Sequence, residues 1–204
     1  MLKQQFYSLA NHYTLQEKII DALWHELETS YSHKKRHYHN LSHLENLLVQ
    51  LEPVKSQTSN WDAILFAVFY HDAVYRAMRT DNELQSARLA ENRLHELNVP
   101  EQTVRQVFDL IMATKGHTIR ENNDINLFTD ADLSILGTDW NAYHTYAQQI
   151  RGEYSLYPDF VYNPGRKKVL DHFLSMPRIF KTNHFFEKYE KQARENLKKE
   201  RASL

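Results

Sequence analysis

The chain contains no cysteine, and only four glycines and five prolines among its 204 residues. The missing cysteine excludes disulfides, thiolate metal sites and thiol nucleophiles together. It also suits a reducing compartment. The glycines stand at positions 116, 137, 152 and 165, no two closer than 13 residues. That spacing excludes both the G-x-G-x-x-G dinucleotide turn and the G-x-x-x-x-G-K-[ST] phosphate loop. Any handling of phosphate must therefore use metal, side chains and helix ends. Charge of one sign is missing too: 25 Lys and Arg against 26 Asp and Glu leave a net charge of -1. Without a polycationic footprint, no nucleic-acid partner is expected. No apolar run approaches the ~18–20 residues of a membrane span. The opening MLKQQFYSLANHY lacks the basic start, apolar core and cleavage site of a signal peptide. The expected setting is the cytoplasm, with no membrane partner.

What is present is helical periodicity. Apolar residues recur at i, i+3, i+4 spacing almost throughout, and alternating β-branched runs are nearly absent. Leu15, Ile19, Ile20, Leu23 and Leu27 mark a first helix. Asn40 predicts an N-cap for a helix bearing Leu44, Leu47, Leu48 and Leu51, stopped by Pro53. Asn60 opens a helix over 60–75, and Asp81 caps another carrying Leu84, Ala87, Leu94 and Leu97. Pro100 suits the first turn of the next. Residues 115–125 read as a polar loop, and a short helix over 129–136 ends at Gly137 as a left-handed cap. Further helices are expected over 139–154, 165–175 and 183–200. With no repeat or linker, the prediction is one all-α domain over 1–204.

Polar residues interrupt this pattern at three places. In helix 60–75, His71 and Asp72 share a stripe with Ile64, Val68 and Tyr75. A buried carboxylate there needs a partner or a cation. In RHYHNLSH (36–43), His43 lies one turn before Leu47, and His39 precedes the cap. In FTDADLSILG (128–137), Asp132 shares a face with Phe128 and Ile135. Asp130 lies about 200° away round the helix, which suits a cap or a supporting role. Histidine and aspartate without cysteine suit a borderline or hard divalent ion such as Mn, Mg, Fe, Co, Ni or Zn.

The order His43, His71-Asp72, Asp132 resembles the HD superfamily of metal-dependent phosphohydrolases. Within it, the chain looks closer to a bacterial group of predicted HD phosphohydrolases. The motifs carrying it are RHYHNLSH (36–43), FYHDAVY (69–75), DNELQSA (81–87), ATKGH (113–117), DADLSILG (130–137), IRGEY (150–154) and GRKKVL (165–170). They span about residues 31–200. The resemblance implies an HD-type helical bundle with metal ligands His43, His71, Asp72 and Asp132, and leaves His39, His117 and Asp130 as second choices. It implies a small phosphate ester, such as a nucleotide, as substrate. Asp72 would hold the attacking water, and Glu83 could act as general acid or orient that water. Glu83 equally suits the dipole of a helix start. Arg36, Lys115, Arg151 and Arg166 are candidate phosphate contacts, although Arg151 could instead pair with Glu153. Tyr38, Tyr70, Tyr75 and Tyr154 are candidates to stack on a base. A non-catalytic module holding metal or nucleotide would use the same residues, as would an ion-free polar network.

Overall fold

Residues 1–204 are described by the computed structural model, which is all-α: ten α-helices, two 3₁₀ turns and no strand. The helices group into two compact units, Met1–Thr129 and Asp130–Leu204.

The first unit is built round a helix apolar on every side. This is α4 (Trp61–Tyr70), in which Ala63, Ile64, Phe66, Ala67, Val68, Phe69 and Tyr70 are all buried. A helix of that kind can only sit in a core. It is packed by α1 (Leu2–Ala10), α3 (Leu41–Leu51), α5 (Asn82–Glu96) and α6 (Glu101–Ala113), with α2 (Glu17–Tyr31) against α1. Asn60 caps α4 by accepting from Ala63 N–H, and Asn40 caps α3 by accepting from Ser42 N–H. A 3₁₀ turn holding Pro53 ends α3, as expected. The start of α4 is pinned a second time, because Asp124 accepts from Ser59 and Asn60 N–H at 2.8 and 2.9 Å.

Several boundaries differ from expectation. Leu15 is 88% exposed and precedes α2, whose buried face begins at Ile20. Helix α1 was not foreseen, although Leu2, Phe6 and Leu9 bury at helical spacing. Asp81 stands at the N-cap of α5 without capping it. Its carboxylate pairs with Arg79 and accepts from Gln85 instead. Pro100 is the N-cap of α6 and not its first residue. The loop after α6 is shorter than predicted, because α7 already starts at Asn123 and runs to Leu133.

In the second unit a 3₁₀ turn (Ser134–Gly137) leads into α8 (Trp140–Glu153), α9 (Asp159–Ser175) and α10 (Asn183–Ser203). The expected helix over 129–136 is thus the last turn of α7 plus this 3₁₀ turn. Helix α9 begins at Asp159, six residues before Gly165, and carries Pro164 inside it. Gly137 is no left-handed cap, since no glycine has positive φ. Its hydrogen allows contact instead: a Cβ there would lie 2.5 Å from Tyr189 Cβ and 2.6 Å from Tyr189 O on α10. A backbone oxygen cannot rotate away. Gly137→Ala is therefore expected to cost about 1–3 kcal/mol, read as a lower denaturation midpoint with an unchanged slope.

Candidate metal centre

Helix α4 stops where side chains take over its hydrogen bonds. A further helical turn would send Asp72 N–H to Val68 O. That carbonyl instead faces His71 Nδ1 at 3.1 Å, and Asp72 N–H donates to the Tyr31 hydroxyl at 3.2 Å. His71 and Asp72 thus sit in a turn just beyond the helix, not on the core stripe of a longer one. His71 is still buried, at 1% exposure, while Asp72 keeps 18% of its side chain exposed. The pairing of Nδ1 with a carbonyl assigns a proton to Nδ1 and turns Nε2 toward Asp72 and His43.

Four side chains of the first unit converge at this turn. Asp72 Oδ2 lies 3.1 Å from His71 Nε2, 3.8 Å from His43 Nε2 and 3.9 Å from His39 Nε2. The Nε2 atoms of His43 and His71 are 3.1 Å apart, and both rings are buried. Neighbouring donors on an octahedral ion with bonds of about 2.1 Å are about 3.0 Å apart. The two 3.1 Å spacings of His71 Nε2, to His43 Nε2 and to Asp72 Oδ2, match neighbouring donors on such an ion and also an ordinary hydrogen bond. Burial opposes charge on Asp72, but the imidazoles of His71, His39 and His43 outweigh it and hold the carboxyl far below its ordinary range. Aromatic contacts order the rings: Tyr38 lies 4.9 Å from His43, Tyr75 lies 4.1 Å from His39, and Phe128 stands edge-on to His71 at 5.8 Å.

Arg36 takes a different part from the phosphate contact expected of it. Its guanidinium donates to Asp72 O at 2.6 Å, Ala73 O at 2.9 Å and His39 O at 3.3 Å. Ser86, at 0% exposure on α5, bonds both N–H and C=O of Val74 at 3.1 Å. Sequence reasoning missed Tyr31 and Ser86 here. Tyr31 falls on the apolar spacing of α2 and reads as core. Ser86 had a signal, as a polar residue on the stripe of Ala87 and Ala90.

The other candidates in this unit are more loosely placed. Glu83 is half-buried in the first turn of α5, where an acid also suits the helix dipole. Lys115 is exposed and donates to Thr80 O at 3.3 Å. His117, rather than Gly116, takes the left-handed conformation after α6, with φ 48°. Tyr70 is fully buried and its hydroxyl is pushed far up by desolvation. It packs in the core and cannot stack on a ligand.

In the second unit, the two aspartates at the end of α7 separate clearly. Asp130 is fully buried and accepts from Lys181 N–H, Thr182 N–H and the Thr182 hydroxyl at 2.7–2.9 Å, with Lys181 Nζ at 3.4 Å. Burial raises its pKa against the opposing pull of Lys181. These bonds occupy it as a structural anchor, which removes it as a reserve ligand. Asp132 is half-buried, and its negative charge acts on Lys181 and Tyr146.

Two further phosphate candidates are corrected here. Arg151 donates to Asp159 and to the carbonyls of Tyr154 and Tyr157, tying the end of α8 to the start of α9. Arg166 is buried and makes a two-pronged pair with Glu200 at 2.7 and 2.9 Å. Tyr154 belongs to an aromatic group with Tyr157 and Tyr162.

Comparison with protein-family models, with curated proteins and with solved structures finds no match to the chain. No helix is long and apolar enough to cross a membrane.

Proposed function

We propose that the chain is a metal-dependent phosphohydrolase of the HD type, acting on a small phosphate ester such as a nucleotide in the cytoplasm. One observation carries the reading: the buried Nε2 atoms of His43 and His71 lie 3.1 Å apart, and Asp72 Oδ2 lies 3.1 Å from His71 Nε2. Two ring nitrogens and a carboxylate oxygen this close need protons or a cation between them. The type and burial of His43 and His71 further support a metal ion at this turn.

In this proposal His43, His71, Asp72 and Asp132 hold the ion, with His39 beside them. A bound divalent ion supplies Lewis acidity to a phosphoryl oxygen and to the attacking water. Asp72 is partly exposed, so its carboxylate can orient that water while still facing the imidazoles. Glu83 protonates or orients from the start of α5. With Arg36, Arg151 and Arg166 committed elsewhere, the phosphate charge falls to Lys115 and to the exposed Lys34, Lys35 and Arg76. The last three lie on the two chain segments that meet at Asp72.

Metal-stripped protein assayed with Mn²⁺, Mg²⁺, Co²⁺ or Ni²⁺ against a panel of phosphate esters tests the proposal. Turnover is expected only with added ion. Ion binding without any turnover would contradict hydrolysis and leave a metal-binding module. An absence of both would leave a polar core stabilised by protons alone.

A further inference from the structure

Beyond Tyr70 the backbone leaves the helix, so its peptide groups need other partners. Five of these groups are held by three side chains from elsewhere in the first unit. The Tyr31 hydroxyl accepts from Asp72 N–H, Arg36 donates to Asp72 O and Ala73 O, and Ser86 engages both polar groups of Val74. Arg36 alone also reaches the segment before α3, through His39 O. Its guanidinium lies over the rings of Tyr31 and Tyr75, at 4.9 and 5.7 Å, and Tyr75 in turn packs on His39. One planar group thus joins the chain segment of His39 to that of Asp72.

We propose that Arg36 is a positioning residue, whose guanidinium fixes the Asp72 turn against the His39 segment and so sets the spacing of the ligand side chains. This rests on the metal-binding reading above. Three carbonyls are served by one rigid fork of donors, and an ammonium group cannot reproduce that geometry. The supporting bonds go to backbone, so Arg36 acts without contributing a ligand atom. Loss of such support typically weakens metal binding by about 10–100-fold.

The experiment is calorimetric titration of metal-stripped protein with Co²⁺ for wild type, Arg36→Met and Arg36→Lys. Circular dichroism checks that each is folded. Both variants are expected to bind about 10–100-fold more weakly. Low millimolar guanidinium ion should restore part of the affinity of Arg36→Met and leave wild type unchanged. Arg93→Met is the control, because it severs the Arg93–Glu26 pair between α5 and α2 and should keep wild-type affinity. Wild-type affinity in a folded Arg36 variant overturns the proposal, as does equal weakening in Arg93→Met. Should Arg36→Met fail to fold, Arg36→Lys decides by the same criterion. No Co²⁺ binding by wild type would overturn the metal reading itself, and this proposal with it.

Discussion

Asp72→Asn is expected to lower metal-dependent turnover by about 10²–10⁴-fold, the range over which a positioned acid or base acts. The substitution preserves volume and removes the anion on which His39, His43 and His71 converge. The backbone clamp of Tyr31, Arg36 and Ser86 does not involve the Asp72 side chain, so the turn should persist. Steady-state kinetics with the best ester from the panel, at saturating metal, reads the effect. Wild-type turnover in a folded Asp72→Asn protein would exclude a chemical role for this carboxylate.

The largest loss of stability is expected in the second unit, from Arg166→Met. Arg166 and Glu200 are both nearly inaccessible, at 7% and 9% side-chain exposure, and Glu200 also accepts from the Tyr143 hydroxyl. Removing the guanidinium leaves a buried carboxylate with a single neutral donor. Breaking one side of such a pair costs about 3–5 kcal/mol. Arg166→Met/Glu200→Gln should recover much of that loss, because no uncompensated charge then remains. Denaturant unfolding of both variants checks the pair. A double variant less stable than Arg166→Met would contradict this account of the charge.

The sequence made the helices legible because each buries a stripe at helical spacing. The caps Asn40 and Asn60 were legible because a short polar side chain before such a stripe has few other uses. The end of α4 was not. Its apolar stripe continues in phase through His71 to Tyr75, and only the Tyr31 hydroxyl, from another helix, takes the amide that would have extended it. Tertiary contacts of this kind leave no local pattern.

The same limit applies to the arginines. Arg36, Arg151 and Arg166 have the chemistry of phosphate clamps, yet the first serves backbone carbonyls, the second two carbonyls and Asp159, and the third a buried glutamate. Which acceptor an arginine meets depends on the fold. The two aspartates of α7 show the opposite case. Their separation round the helix was readable, and it matches the tethering of Asp130 by Lys181 and Thr182. At the candidate centre, the histidines and Asp72 were visible as polar residues in apolar surroundings. Their supporting shell was not, because a tyrosine on a helical stripe reads as packing.

On the proposed reading, this His/Asp cluster holds a divalent ion. The most direct test is elemental analysis of metal-stripped protein re-equilibrated with Co²⁺ or Mn²⁺, with His71→Ala as reference. Wild type should retain about one ion per chain, the variant far less, and retention should fall as acid protonates the imidazole ligands. Wild type carrying no more metal than His71→Ala would contradict the account.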